Sequence, residues 1–439
     1  MADVARPQPA AVAAALDVLS GRLDARTAAF LDSCVRCGLC ADVCHVFLAD
    51  GDTASTPGAK VERVAGLARR HHTLLGRLLP RLVGARDLDA GALAELASVV
   101  FGRCSLCGRC ALNCSVGLDP SAVIRFGRRV AGAAGLVPAG ITTNVDLARA
   151  TGNNMGIAPA DVLDTLAWLE GDLRDTIGDP AVSLPVDREG ARVLYALHPR
   201  EVKFFPLSIS AAAMIFHTAG EDWTLTSSDF DITNYGFFAA DDEAARAIAA
   251  RLIARAEALG VEELVVAECG HGYRSLRWEA PEWLGRPLPF VVRSFVEVMA
   301  DYLRAGRLRL DPSRNRDRVT LHDPCNLVRN GGVIEEQREL LRAAVTDFVE
   351  MTPNRADNYC CGGGGGLLAA SEHTAARLRA GQMKARQIQA TGAKVVASPC
   401  HNCIDQLMDI NRHYELGVEV KTLAEIVADA LVLPTATSP

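Results

Sequence analysis

The pattern of apolar and polar positions divides the chain into two regions of different character. Over 9–33, in an Ala-rich stretch, apolar residues recur at helical spacing and predict a helix. Residues 53–100 read as mostly helical with breaks at Pro57 and Pro80, and 119–135 as one more helix ending near Pro138. Almost no strand pattern interrupts this part. A connector over 140–190 holds one predicted helix, Ala160–Leu173, and closes on Pro180, Pro185 and Gly190.

From Ala191 the period changes. Short apolar runs predict strands at Arg192–Leu197, Trp223–Thr226, Glu263–Ala267, Arg318–Leu321 and Lys394–Ala397. Helical patterns separate them: Ser210–Ala219, Asp241–Leu259, a segment from Pro289–Val292 through Ala305, Val333–Val349, Thr374–Thr391 and Thr422–Leu431. Such alternation argues for α/β layers with mostly parallel strands. The order also recurs. Val265-Val266-Ala267-Glu268-Cys269 parallels Val395-Val396-Ala397-Ser398-Pro399-Cys400, and Phe295-Val296-Glu297-Val298 parallels Leu423-Ala424-Glu425-Ile426. Two homologous α/β halves are expected, about 192–305 and 318–435, related by a pseudo-two-fold axis.

Composition sharpens this picture. A chain of 439 residues, 49% of them hydrophobic, suggests two or three domains that bury full cores without staples. A net charge of −7 and only 5% aromatic residues argue against a nucleic-acid binder. Met1–Leu16 shows no export signal, and the longest apolar stretch, Phe204–Ala219, is broken by Pro206, Ser208, Ser210 and His217, so no membrane span is expected. In the reducing cytoplasm that this implies, 14 patterned cysteines point to metal or redox chemistry before disulfides.

Eight of them form two runs: Cys34-x2-Cys37-x2-Cys40-x3-Cys44 and Cys104-x2-Cys107-x2-Cys110-x3-Cys114. This is bacterial ferredoxin spacing, in which three thiolates wrap one cubane and the fourth ligates the other. One [4Fe–4S] cluster is therefore expected on Cys34, Cys37, Cys40 and Cys114, and a second on Cys104, Cys107, Cys110 and Cys44. Zinc is the alternative, although its sites usually pair two C-x2-C knuckles. Ferredoxins usually carry Pro after the fourth Cys; here stand His45 and Ser115. The Cys40-x3-Cys44-His45 spacing does not suit c-type haem.

A third constellation comprises Cys325, Cys360-Cys361 before the glycine run Gly362–Gly366, and Cys400-x2-Cys403. Five thiols exceed a zinc site's usual four. A thioredoxin-like pair would use Cys400 and Cys403 alone, and structural thiols are a further alternative. The glycine run lacks the Lys-Ser/Thr of a phosphate loop and reads as close packing. Arg69-Arg70 and Arg128-Arg129 read as solvated helix faces. His322 and His401 flank the third constellation as hydrogen-bond donors to it.

The separation of the two runs resembles the α-helical ferredoxin domain of heterodisulfide reductase and succinate dehydrogenase relatives. The third constellation resembles the cysteine-rich CCG domain of heterodisulfide-reductase-type iron–sulfur proteins. The resemblance implies a multidomain chain: an N-terminal all-α helical ferredoxin domain over 1–140, a helical connector over 141–190, and a duplicated α/β cysteine-rich domain with a degenerate first half over 191–310 and a cluster-bearing second half over 311–439. It further implies that Cys325, Cys360, Cys361, Cys400 and Cys403 bind a noncubane [4Fe–4S] cluster that reacts with disulfides. In the first half Asn234, Tyr235, Gly272 and Arg200 or a neighbour stand where cysteines would, and only Cys269 remains. Asp231-Ile232-Thr233-Asn234-Tyr235-Gly236 and Glu268-Cys269-Gly270-His271-Gly272 are similar to the K subunits of sulfite-reduction-associated membrane complexes and their menaquinol-oxidising homologues. Cys269 and His271 are then candidate catalytic groups, with a remnant thiol and a structural histidine as the plain alternative.

The same resemblance implies an iron–sulfur oxidoreductase subunit that passes electrons to a disulfide or polysulfide on a small sulfur-carrier protein with redox-active Cys. Its electrons would come from quinol through a membrane cytochrome b, with the chain peripheral on the inner face of the cytoplasmic membrane and the flux reversible. The iron–sulfur subunit of a flavin-dependent 2-hydroxyacid or glycerol-3-phosphate dehydrogenase, and a structural or storage iron–sulfur protein, are the other readings.

Overall fold

A computed structural model describes residues 7–21, 23, 25–180 and 182–433. The chain forms two compact units. Of the described residues, the first comprises those up to Thr142 together with Phe237–Asp241 and Tyr359–Ala385; the second comprises those within Thr143–Gly236, Asp242–Asn358 and from Arg386 on.

The first unit contains no β-strand among its described residues. Its helices start where sequence places caps. Thr56 Oγ1 accepts from Ala59 N ahead of Pro57–His72, Asp89 from Ala92 N ahead of Ala90–Gly102, and Asp119 from Ser121 N ahead of Pro120–Ala133. Pro57 therefore opens a helix instead of breaking one, because proline at the first helical position loses no intrahelical bond. The predicted helix over 9–33 is two helices, Pro9–Gly21 and Ala25–Ser33, with Arg22 and Asp24 outside the described residues. The core joins Val64 and Leu67 to Leu93, Leu96 and Val100 and to Val123, Ile124 and Val130, all buried. Gly127 lets these helices approach: an added Cβ would meet Val100 and Val64 methyls at 3.0 Å.

The second unit carries both sheets. The first holds β1 (Val193–Ala196), β2 (Trp223–Thr224), β3 (Glu263–Val266) and β4 (Val291–Ser294), in the order β2-β1-β3-β4. The second holds β5 (Arg318–Leu321), β6 (Asp347–Val349), β7 (Val395–Ala397) and β8 (Glu419–Lys421), in the order β6-β5-β7-β8. Every pairing is parallel, with Val193 opposite Glu263 and Val319 opposite Val395 at the centres. The strand order is thus the same in both sheets. Helix Pro206–Thr218 packs on Leu423–Asp429, and Phe295–Arg304 packs on Glu336–Ala344, so each sheet's helices pack against those of the other. One apolar core spans the two sheets, with Tyr195, Phe216 and Phe295 in edge and tilted ring contacts at its centre.

Three differences from the sequence reading matter. Val333–Val349 is a shorter helix, Glu336–Ala344, followed by β6. The connector holds a second helix, Ala139–Thr151, before Pro159–Ile177. β8 is an additional strand of three partly exposed residues that shows no strand pattern in the sequence. No helix among the described residues is long and apolar enough to cross a membrane.

Candidate iron–sulfur and thiol sites

None of the fourteen cysteines is in a disulfide. In the first unit, Cys34, Cys37, Cys40 and Cys114 line one cavity of about 310 Å³ whose other walls are mostly apolar, among them Val61, Leu118 and Val123. Cys44, Cys104, Cys107 and Cys110 line a second, smaller hollow together with His45, Lys60 and Arg109. Each site takes three sulfurs from one run and the fourth from the other. Four sulfurs suit a soft metal group, and Glu62, the carboxylate on the first cavity's wall, is paired with Arg36 and Arg69.

The two loops turn alike. Arg36 and Leu106, two residues past the first cysteine of each run, lie at φ 55° and 54°, and Gly38 and Gly108 follow the second at φ 86° and 74°. Left-handed backbone at a non-glycine residue is uncommon and concentrates at functional loops. Here it lets each loop aim its sulfurs into one hollow. Backbone N–H groups then reach the sulfurs: Leu106 N donates to Cys104 Sγ at 3.4 Å, and Leu118 N to Cys114 Sγ at 3.3 Å. Ser115, in the place of the usual proline, lies 3.5 Å from the exposed Cys37 Sγ, and this hydrogen bond holds the Cys37 thiol below its ordinary value.

The second set has a different electrostatic setting. Burial pushes the Cys110 thiol well up. Cys104 is likewise raised by burial, against the pull of Lys60 and Arg128. These two cations are 1% and 0% exposed, and neither forms an ion pair among the described residues. Lys60 Nζ donates to Arg103 O. Arg128 donates to four carbonyls: Val100 O, Phe238 O, Gly365 O and Cys104 O, at 2.7–2.8 Å. Burial pulls its guanidinium down to about 10, which leaves it a cation at neutral pH. Arg128 is therefore no solvated helix face. Its place four residues after Ile124 and three before Ala131, inside the apolar stripe of its helix, was the available signal.

Cys360 and Cys361 are buried in this same unit. Cys360 Sγ accepts from Gly362 N at 3.3 Å and from the Ser105 hydroxyl at 3.4 Å. The glycines that follow pack closely. A Cβ at Gly365 would meet the Ser105 backbone at 2.9 Å, and one at Gly366 would meet Ile141 Cδ1 at 2.6 Å.

Cys325, Cys400, Cys403, Cys269 and His271 lie in the second unit, all buried. They follow the carboxyl ends of β5, β7 and β3, where open parallel sheets place ligand sites. Cys269 and Cys400 each sit at the N-cap of the helix that follows the central strand, in extended conformation. Cys269 Sγ accepts from Gly272 N at 3.3 Å. The Cys269 and Cys400 sulfurs and a His271 ring nitrogen all lie within 4.8 Å of one another. Asn402 Nδ2 is 3.2 Å from His271 Nδ1. Hydrogen bonds from Cys269 and Cys403 hold the Cys400 thiol well below its ordinary value, while burial pushes Cys269 well up. His401 does not turn Nδ1 to the third constellation: its backbone N–H and its ring Nδ1 both meet Glu268 O, at 2.9 and 3.0 Å. The Glu268 carboxylate in turn accepts from Leu423 N and Ala424 N at the start of the final helix.

Asp231, in the segment that carries Asn234 and Tyr235, sets a pH dependence. Its Oδ1 accepts from Thr233 N and Asn234 N, its Oδ2 has no partner among the described residues, and burial raises its carboxyl to about 6. The native chain then holds this proton more tightly than the unfolded one, whose value is about 3.9. Wild-type stability should fall by up to ~3 kcal/mol relative to Asp231→Asn as pH rises from about 4 to about 6, and run parallel to it above. Denaturation midpoints across that window check this; parallel curves throughout would refute it.

Comparisons with known proteins agree with the cysteine pattern. Residues 30–118 match the family described as 4Fe-4S dicluster domain, and residues 319–408 match the family described as CCG, cysteine-rich domain. The Hdr-like menaquinol oxidoreductase iron-sulfur subunit 2 of Archaeoglobus fulgidus is 29% identical over 92% of this chain and 80% of its own length. The corresponding iron-sulfur protein of Archaeoglobus profundus is also 29% identical over the same shares. A component of the dihydromethanophenazine:CoB--CoM heterodisulfide reductase of Methanosarcina barkeri is 26% identical over 92% of this chain and 95% of its own.

Proposed function

For a chain that is an iron–sulfur oxidoreductase protein of the heterodisulfide reductase type, we propose the role of the subunit that relays electrons to a disulfide or polysulfide on a partner protein. The observation that carries this reading is the three-plus-one pairing of the two cysteine runs around two separate hollows. Cys34, Cys37, Cys40 and Cys114 would hold one cubane [4Fe–4S] cluster, and Cys104, Cys107, Cys110 and Cys44 the other. Cys325, Cys360, Cys361, Cys400 and Cys403 would hold a noncubane [4Fe–4S] cluster, an assignment that rests on the five-cysteine motif. When bound, these groups supply one-electron transfer and, at the five-cysteine set, a reducing centre for sulfur–sulfur bonds.

The chain's own residues do the rest. Thiolates on a cluster bring net negative charge into a buried hollow, and Lys60 and Arg128 offset it at the second set. Hydrogen bonds to Cys37, Cys104 and Cys114 act in the same sense. Opening a disulfide consumes two electrons and two protons. His271, buried with a ring nitrogen within 4.8 Å of Cys400 Sγ, is placed to hold one such proton, and the Cys269 thiol is placed beside it. The upstream partner on this reading is a quinol-oxidising membrane cytochrome b, in keeping with the menaquinol named for the Archaeoglobus relatives, and the downstream one a small sulfur carrier with redox-active Cys. The chain would be peripheral on the inner face of the cytoplasmic membrane, and the same path can run in reverse.

The test is an anaerobic redox titration of the full chain followed by EPR. Three centres are expected. In Lys60→Met, the midpoint of the centre on Cys104, Cys107, Cys110 and Cys44 should fall by ~59 mV or more, a tenfold change for one electron, with the Cys34 centre unmoved. Two centres only would remove the noncubane site. An unshifted or raised midpoint would remove Lys60 from the tuning.

A further inference from the structure

Five large apolar side chains stand exposed within nine residues: Leu74, Leu75, Leu78, Leu79 and Leu82, each between 51% and 77% exposed. Scattered exposed leucines are ordinary on a soluble protein, but a contiguous group marks an interaction site. The backbone beneath them is fixed. Thr73 Oγ1 caps Leu74–Leu78 by accepting from Gly76 N, and the Arg70 guanidinium donates to Gly76 O and Arg77 O at 3.3 and 3.0 Å. At Gly76 an added Cβ would meet Arg69 O at 2.0 Å, so only glycine allows this short helix to fold back so tightly on Pro57–His72. Beyond it, Ala85 N donates to Pro80 O and Arg86 N to Gly66 O, at 2.8 and 3.0 Å. The leucines are therefore presented outward by a braced excursion and do not belong to a core that failed to close.

The charge along the excursion itself is one-sided, with the nearest acids, Asp87 and Glu62, paired with Arg70 and Arg69. Arg77, Arg81 and Arg86 are exposed and form no ion pair among the described residues, and no Asp or Glu occurs between His71 and Arg86, in a chain whose net charge is −7. The excursion carries no aromatic residue and, apart from arginine, no hydrogen-bonding side chain between Leu74 and Arg86. Protein interface cores are enriched in aromatic residues and their hot spots are poor in leucine, so an aromatic-free leucine patch argues against a protein partner, while arginine suits either. Leucines ringed by unpaired arginines are the composition of a segment that lies in a lipid interface.

We propose that residues 74–86 seat the protein directly on an anionic phospholipid bilayer. The five leucines enter the boundary between headgroups and acyl chains, and Arg77, Arg81 and Arg86 meet the headgroup phosphates. This contact is additional to any membrane subunit, and it does not depend on the electron-relay reading.

Sedimentation of the full, cluster-loaded chain with vesicles tests it. Wild type is expected to bind phosphatidylcholine vesicles containing a third phosphatidylglycerol, and to bind pure phosphatidylcholine at least tenfold more weakly. Leu78→Ser/Leu79→Ser should lower the partition coefficient on anionic vesicles about a hundredfold, and Arg77→Gln/Arg81→Gln at least tenfold. All four positions are exposed, so iron content and circular dichroism should stay at wild-type values and separate lost binding from lost fold. Absence of wild-type binding to the anionic vesicles, or wild-type binding by both variants, would overturn the proposal. So would a Leu78→Ser/Leu79→Ser variant that loses a membrane protein partner while wild type ignores lipid.

Discussion

Cys114→Ala is expected to empty the site of Cys34, Cys37 and Cys40, 74 to 80 positions away in sequence, and to spare the site of Cys104, Cys107 and Cys110 beside it. Both the spacing and the lining of the two hollows favour this crossing. In each run three residues separate the third and fourth cysteines, one more than separates the others, and the fourth sulfur leaves its own loop once the chain has turned through Gly38 or Gly108. Cys114 accordingly lines the hollow of the first run and Cys44 that of the second. Iron should fall from about twelve to about eight per chain, as four iron leave with one cluster. The EPR signal lost should be the one that Cys34→Ala removes. Cys44→Ala should remove the signal that Cys104→Ala removes. If Cys114→Ala and Cys104→Ala abolish the same signal, each run holds its own metal and the cubane assignment fails.

The sharing of each hollow between the two runs was legible because a spacing rule with a mechanical cause lies behind it. The same holds for the recurrence of Val265–Cys269 at Val395–Cys400, which turned up as two sheets of one strand order with Cys269 and Cys400 at matching N-caps. What escaped the sequence lacks such a local cause. β6 and β8 are three residues each at sheet edges, too short to show a period. The inclusion of Phe237–Asp241 and Tyr359–Ala385 in the helical unit is a long-range event, achieved in part through Arg128, whose guanidinium binds carbonyls of Phe238, Gly365 and Cys104 at once. A charged residue in that role looks like a surface residue until its partners are known. Lys60 hid for the same reason, as an ordinary lysine in a capped amphipathic helix. The cysteines announced where metal is expected; the two cations that would set its potential did not announce themselves.

Arg338→Met should cost the protein ~3–5 kcal/mol, the usual penalty for stripping one partner from a buried ion pair. Arg338 and Asp323 are 0% and 1% exposed at the side chain, joined in two parallel hydrogen bonds of 2.9 and 2.8 Å. Asp323 also accepts from Gln337 Nε2 and Arg355 N, while Arg338 reaches Glu350 and Ile334 O. Burial pushes the Asp323 carboxyl up, but the guanidinium more than offsets this and holds it below the ordinary carboxylate value. The contribution is therefore present above the unfolded value of about 3.9 and is lost as pH falls through the lower folded value. The gap between wild type and Arg338→Met, read from denaturant midpoints, should narrow in that acid range and be full at pH 7. Because Asp323 immediately precedes Pro324 and Cys325, the pair also anchors the loop that carries the first cysteine of the third constellation. Arg338→Met/Asp323→Asn separates the two roles. Removing the stranded charge should restore much of the stability, since an ion pair replaced as a unit is often neutral. Iron retention at the Cys325 site should still suffer if the bidentate bridge is what holds that loop. Equal losses of stability in the single and double variants would mean that the cost of Arg338→Met comes from lost packing and not from an uncompensated carboxylate.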